Sequence, residues 1–176
     1  AIARLRARRP DAIEGRFAGL EKARLVKLGR AWLDLERGRA PFEVAAVEHK
    51  RTVSFGGVSV NAKLDRMDRI EAGGHAVIDY KTGSASVGDW LGPRPEDPQL
   101  PLYAVSATED ISAVAFARLK AGDMGFRGIA RDEGLIPGVA MLDKQRSNAA
   151  KDYASWEELL AGWRRELEAL GAEFAA

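Results

Sequence analysis

The sequence predicts an α/β domain with a mixed central sheet of about four or five strands and helices packed on its faces. A long helical pattern from Ala12 to Arg37 precedes several segments in which apolar and polar residues alternate. A short helix at residues 99–107 separates these segments from a later strand, and an amphipathic helix closes the chain at residues 156–174. The first three strands should form a meander, and the crossover through the short helix should add the next strand.

The first helix has apolar residues near helical spacing and ends at Gly38. Its Phe17 and Trp32 are expected in the core. Basic residues are frequent at the start of the chain and along this helix; we interpret them as a solvated face or a linker, with phosphate contact as the alternative. These basic residues are Arg4, Arg6, Arg8, Arg9, Lys22, Arg24, Lys27 and Arg30.

The first predicted strand begins at Glu43 and runs to Phe55, where Gly56-Gly57 turns the chain into the second. Alternation in the second strand places Asp65 on its polar face. Glu48 of the first strand has two interpretations. We favour a charge partner for a neighbouring basic residue, and the alternative is a third metal-ligating carboxylate.

Asp79 and Lys81 stand two residues apart in the third strand, Val77–Lys81, so both project to the same side, whereas Ile78 and Tyr80 project to the other. An Asp-x-Lys pattern alone is more often a solvated edge or a cross-strand ion pair. A second carboxylate on the neighbouring strand favours a site with chemistry.

The register of the second hairpin decides which carboxylate that is. A turn centred on Ala72 places Asp65 opposite Asp79, on the same face. A two-residue turn at Gly73-Gly74 would instead place Asp68 opposite Asp79. Two carboxylates so close repel unless a cation lies between them, and such hard oxygen ligands suit Mg²⁺ or Mn²⁺. A neighbouring lysine could orient a water molecule or stabilise charge on phosphate oxygens.

Three sequence blocks resemble the RecB-like branch of the PD-(D/E)XK nuclease superfamily, which forms C-terminal nuclease domains of bacterial helicase-nuclease proteins. They are Lys63-Leu-Asp65-Arg66-Met-Asp68, Asp79-Tyr80-Lys81-Thr-Gly83 and Asp97-Pro-Gln99-Leu-Pro-Leu-Tyr103-Ala. The resemblance covers roughly residues 20–120 and implies a restriction-endonuclease-like core. Length and composition agree with one domain over residues 1–176. The resemblance also implies exonuclease-type hydrolysis of DNA in recombination and repair, with a helicase subunit or helicase-like domain as partner.

The same resemblance implies roles for individual residues. Asp65 and Asp79 would be ligands of Mg²⁺ or Mn²⁺, Lys81 the catalytic lysine, and Gln99 with Tyr103 the helical motif beside the site. The backbone carbonyl of Ile78 or Tyr80 is a further candidate ligand. Because Gln99 and Tyr103 are four residues apart, they should lie on one helical face and point together at the strand ends.

The chain departs from this family in lacking the usual upstream glycine-histidine motif, since its histidines, His49 and His75, are not on the first helix. It also lacks the terminal cysteines of many relatives. We therefore expect an excised piece of a larger protein. The alternative function is a catalytically silent DNA-binding or scaffolding domain, and an incidental structural module ranks third.

Other residues are candidates for contacts with DNA. Residues 82–98 read as a loop crossing the site, and its Trp90 is either a lid over the core, which we favour, or a stacking platform for a base. Residues 131–150 read as irregular and polar, and Gln145 there is a further candidate for phosphate contact. The remaining candidates are Lys63, Arg66, Lys144 and Arg146.

Composition sets outer limits on function. The net charge is +1, from 27 basic and 26 acidic residues, so the chain is no polycation. No run of eighteen apolar residues exists and no signal peptide is recognisable, which predicts a cytoplasmic protein without a membrane span. The absence of cysteine excludes disulfides, thiolate zinc sites and a cysteine nucleophile.

Overall fold

The computed structural model describes residues 15–175. Within them lie three α-helices, α1 (Gly15–Arg37), α2 (Gln99–Ser106) and α3 (Trp156–Ala175). The strands are β1 (Phe42–Phe55), β2 (Val58–Ile70), β3 (His75–Lys81), β4 (Ile111–Arg118), β5 (Gly125–Ala130) and β6 (Val139–Met141). None of the helices in this part of the chain is both long and apolar enough to cross a bilayer.

The strands form one mixed sheet in the order β1-β2-β3-β4-β5-β6. The first three form the predicted antiparallel meander, and the crossover through α2 makes β4 parallel to β3. The α/β fold class with helices on both faces is thus confirmed. The sixth strand was not predicted, because β6 has three residues, too few for alternation to be recognised within residues 131–150.

The register of β2 and β3 follows from their connecting turn. Ile70 donates its N–H to the carbonyl of Gly74 at 3.0 Å, which encloses the three residues 71–73 and places Arg66 opposite Ile78. Gly74 has a φ of +73°, and a Cβ there would lie 2.6 Å from the hydroxyl of Ser112. The turn centred on Ala72 is therefore confirmed.

Helix α1 covers one face of the sheet with its C-terminal half. Trp32 is buried against Tyr80 and Phe126, with ring centroids 5.8 and 4.9 Å away. The expectation that Phe17 lies in the core is wrong, since it is 59% exposed. Helical spacing identifies the inward face of a helix but not how far the sheet beneath it extends.

Helices α2 and α3 cover the opposite face. Trp90 is fully buried there, 4.5 Å from the Phe116 ring, and its carbonyl accepts a hydrogen bond of 2.7 Å from the Trp163 indole. The lid interpretation of Trp90 is confirmed. Its alternative, an exposed platform for a DNA base, is wrong because no face of the ring reaches solvent.

Candidate active site

Asp65 and Asp79 lie beside each other on β2 and β3. Asp79 is 5% exposed, and Asp65 accepts a 3.0 Å hydrogen bond on Oδ2 from the N–H of Tyr80. The regular pairing of the two strands ends at Arg66, so Asp65 stands where β2 begins to separate from β3. The hydrogen bond between the Asp65 carboxylate and the backbone of β3 fixes the spacing between Asp65 and Asp79.

Lys81 lies between two carboxylates. Its Nζ is 3.0 Å from Oδ2 of Asp79 and 2.9 Å from Oδ2 of Asp97. Sequence reasoning quoted Asp97 within the third block but gave it no role. Its loop is held in place by the N–H of Asp97, which donates to the carbonyl of Asp89 at 3.2 Å. The only sequence signal that could have identified Asp97 is its position two residues before Gln99, within the same sequence block.

Burial governs the electrostatics of these groups. Burial raises the pKa of Asp79; Lys81 opposes the shift, and the charges of Asp65 and Asp97 add to it. Burial alone would lower the pKa of Lys81, but its pairing with Asp97 and Asp79 outweighs this and raises it. Oδ2 of Asp79 is buried, and its close partner among the described residues is the ammonium of Lys81. Because this lysine is shared with Asp97, the Asp79 carboxylate keeps acceptor capacity for a further cation.

The side chain of Tyr80 points to the other face of the sheet. Its hydroxyl accepts a hydrogen bond of 2.9 Å from Arg66, while its ring packs on Trp32. The prediction that Arg66 contacts DNA is wrong. Arg66 is 8% exposed, and its guanidinium binds Asp68 and Glu36 beneath α1. A basic residue on a strand could not be assigned to a face without the packing of the helix.

This buried network ties α1 to the strand that carries Asp65. Asp68 is inaccessible to solvent and accepts hydrogen bonds from Arg66 Nε at 2.6 Å and from Arg39 at 2.9 Å. Glu36 pairs with both arginines, at 2.8 Å from Arg39 and 2.7 Å from Arg66. The network holds β2 from the α1 side of the sheet, while Asp79 projects to the opposite side.

Gln99 and Tyr103 both hold the β1–β2 hairpin. The Gln99 amide donates to the carbonyl of Lys63 at 2.9 Å, and the hydroxyl of Tyr103 donates to the carbonyl of His49 at 2.9 Å. The two side chains point in the same direction, as their four-residue spacing predicted. Both bind backbone carbonyls of the hairpin. Burial raises the pKa of Tyr103. The two residues thus position β1 and β2, and a catalytic role for them stays a prediction.

Glu48 pairs with Lys63, which agrees with the favoured interpretation. It is exposed and has a φ of +50°. Within residues 15–175, no three His, Cys, Asp or Glu side chains are grouped closely enough to hold a metal ion. The metal-ligand role of Asp65 and Asp79 stays a prediction with two carboxylates, and Glu48 is not a third.

The remaining DNA-contact candidates lie beyond β6, at the opposite edge of the sheet from β1. Lys144 pairs with Glu133 at 2.6 Å, and Arg146 is exposed. Gln145 donates to the carbonyls of Gly128 and Ala140 at 3.0 and 3.1 Å, so it holds the loop to the sheet. The structure does not group these residues with Asp65 and Asp79. The basic run at residues 1–10 lies outside the described residues.

The sequence was compared with protein families and with curated proteins. A model described as the PD-(D/E)XK nuclease superfamily matches residues 1–176. No curated protein matches the chain. The match spans the sheet, both flanking layers of helices and the acidic pair with its lysine.

Proposed function

The chain belongs to the PD-(D/E)XK nuclease superfamily, and on that premise we propose that it hydrolyses DNA phosphodiester bonds with the help of Mg²⁺ or Mn²⁺. Members of this superfamily are generally nucleases, and they typically use divalent metals. The finer assignments are part of the proposal: the RecB-like branch, exonuclease-type action in recombination and repair, a helicase partner and a cytoplasmic location. The three sequence blocks support the first three of these assignments.

One observation carries the proposal: the carboxylates of Asp65 and the buried Asp79 lie side by side, and Lys81, whose Nζ is 3.0 Å from Oδ2 of Asp79, is shared with Asp97. Two carboxylates fit a hard cation such as Mg²⁺, which commonly binds one or two protein carboxylates and keeps several waters. Asp65 and Asp79 would hold the cation, with a backbone carbonyl of Ile78 or Tyr80 as a further candidate. A bound cation supplies Lewis-acid polarisation of the phosphate and lowers the pKa of water.

The chain's own groups account for the remaining steps. The ammonium of Lys81, whose pKa is raised by its pairing with Asp97 and Asp79, can donate hydrogen bonds to the attacking water or to a nonbridging phosphate oxygen. Asp97 restrains this amine in the ground state. Gln99 fixes the backbone of β2 next to Asp65. Each contact places a group before reaction, which is the main contribution a protein makes to phosphoryl transfer.

A catalytically silent DNA-binding or scaffolding domain remains the second candidate. It is favoured by the absence of a third ligating side chain near Asp65 and Asp79 in the described part of the chain. The two candidates differ in one measurable property, because only the nuclease consumes DNA when a divalent metal is added.

The test uses the 176-residue chain with single-stranded and linear double-stranded DNA, in Mg²⁺, in Mn²⁺ and with a chelator. Cleavage should require metal and should be lost in Lys81→Met and Asp79→Asn, while Lys151→Gln, an exposed lysine on another element, should cleave normally. DNA binding without cleavage in either metal would favour the silent domain. Undiminished cleavage by Lys81→Met would show that the assigned site is wrong.

A further inference from the structure

The β1–β2 hairpin extends beyond β3 and carries an exposed polar surface that leads away from Asp65. Strand β3 pairs only with residues 66–69 of β2, so the rest of the hairpin stands next to the candidate site. Three cross-strand pairs define what we call the polar ladder: Lys50 with Lys63, Thr52 with Asn61, and Ser54 with Ser59. We propose that the polar ladder is the surface that binds the phosphate backbone of a DNA strand as it enters or leaves the site.

The ladder occupies one face of the hairpin only. All six of its residues are exposed, whereas Val53, Phe55 and Leu64 on the alternating positions are buried in the core beneath α2 and α3. The burial of one face fixes which face of the hairpin looks outward. Four residues separate Lys50 from Ser54, so the ladder is about 13 Å long at about 3.3 Å per residue. That length can follow several successive phosphates.

The side chains of the ladder keep hydrogen-bond donors for a ligand. The hydroxyl of Thr52 donates to the amide oxygen of Asn61 at 2.8 Å, which leaves the NH₂ group of Asn61 directed elsewhere. Ser54 and Ser59 share one hydrogen bond of 2.9 Å, so one of the two hydroxyl protons remains. Amides, hydroxyls and ammonium groups are the side chains that contact phosphate and sugar in protein–DNA complexes.

The charge of the ladder favours an anion. Lys50 and Lys63 lie directly opposite each other in the antiparallel pair and therefore repel. Of these two lysines, Lys63 has a carboxylate partner among the described residues, Glu48, and Lys50 has none. A groove of about 430 Å³ runs along this part of the hairpin. It is lined by Lys50, Arg51, Thr52, Asn61, Ala62 and Lys63. Lys50 is the lining cation without a carboxylate partner among the described residues, since Lys63 pairs with Glu48 and the guanidinium of Arg51 donates to Ser106 on α2.

The hairpin is held rigidly where the ladder meets the site. Arg51 donates to the carbonyl of Ser106 at 2.7 Å, and Gln99 and Tyr103 bind the carbonyls of Lys63 and His49. All three bonds come from or go to α2, so that helix sets the angle of the hairpin. A surface ordered before binding loses less entropy when the strand docks.

The ladder starts near the acidic pair, because Lys63 precedes Asp65 by two residues. The ladder looks away from α2 and α3, whereas Asp79 and Lys81 lie on the face of the sheet that these helices cover. One end of a strand bound along the ladder would therefore lie close to the site. This step rests on the proposed function. The binding surface itself does not, and the two can be tested separately.

The first experiment measures binding in a chelator, where no hydrolysis occurs. A fluorescein-labelled single-stranded oligonucleotide is titrated with wild type, with Lys50→Gln/Lys63→Gln, and with Lys151→Gln/Arg165→Gln, which removes the same charge from exposed positions elsewhere. The ladder variant should bind more weakly, and its plot of log affinity against log salt should lose about 1.4 from the wild-type slope, since each contact with a single strand contributes about 0.7. Equal losses in both variants, or none in either, would overturn the proposal.

The second experiment uses the cysteine-free sequence, in which an introduced cysteine is the only thiol. Asn61→Cys and Ser59→Cys should crosslink to a strand carrying a thiol-reactive group on its backbone, and Ala161→Cys, exposed on α3, should not. Equal crosslinking at all three would refute the ladder. Competition by dTMP together with no crosslink at Ser59 would show a nucleotide site instead.

Cleavage assays with metal separate the two hypotheses. If wild type binds DNA through the ladder but does not cleave, the surface stands and the hydrolytic function fails. If wild type cleaves and the ladder variant binds and cleaves equally well, the function stands and the surface fails. Thermal unfolding of every variant should match wild type, because the substituted side chains are exposed.

Discussion

Removal of the Asp68 carboxylate should destabilise the protein strongly. Asp68 has no solvent exposure and accepts hydrogen bonds from both Arg66 and Arg39. In Asp68→Ala the two guanidinium groups would share one remaining carboxylate, that of Glu36. One positive charge would then be left without a partner in a buried environment.

The expected magnitude follows from that uncompensated charge. Removing one partner of a buried ion pair costs about 3–5 kcal/mol. At about 2–4 °C per kcal/mol for a protein of this size, the midpoint of thermal unfolding should fall by roughly 6–20 °C.

The assay is thermal and urea unfolding followed by circular dichroism at neutral pH, with a chelator present so that metal binding does not contribute. The matched control is Asp34→Ala, whose partner Arg37 is 77% exposed and whose own side chain is 71% exposed, so its loss should be within about 0.5 kcal/mol. A loss in Asp68→Ala as small as in the control would refute the reasoning that this network is a buried unit.

Three further predictions concern the site and the core. Because burial raises the pKa of Asp79, its ionised form costs stability at neutral pH, and this cost fades as the pH falls through the raised pKa. Asp79→Asn should therefore unfold at no lower a temperature than wild type at pH 7, gain nothing in acid, and lack the stabilisation by Mn²⁺ that we expect for wild type. A lower unfolding midpoint for the variant at pH 7 would contradict this. Asp97→Asn should lower kcat and leave DNA binding in chelator unchanged, because the substitution loosens the position of Lys81. The control Glu96→Gln, at the exposed neighbouring residue, should change neither kcat nor binding. Equal kcat values in the two variants would show that Asp97 does not position Lys81. Trp90→Ala should lower the free energy of unfolding by about 3–5 kcal/mol, as for other buried tryptophans. The folded variant should bind single-stranded DNA as tightly as wild type does. A loss of affinity for DNA would restore the stacking interpretation of Trp90.

Local pattern predicted part of the site. Strand alternation put Asp79 and Lys81 on one face. Two turns at residues 71–74 remained possible from the sequence, and the hydrogen bond from Ile70 to Gly74 in the structure selects the register that brings Asp65 beside Asp79. The family resemblance carried by the three blocks was likewise available from the sequence, and the superfamily match agrees with it.

Other assignments depended on contacts between residues distant in sequence. Phe17 and Trp32 share a helical face, yet only Trp32 has the sheet beneath it. Arg66 was read as a surface cation, but α1 supplies Glu36 to pair with it.

What the sequence by itself determined is the α/β class, the meander and the shared face of Asp79 and Lys81, since periodicity is a property of short stretches of chain. Only the tertiary structure decided that Asp97 joins Lys81, that Gln99 and Tyr103 hold the hairpin, and that the polar ladder faces outward. Each of these depends on the distance between side chains from separate elements. Packing of the helices on the sheet sets those distances, and no local pattern records them.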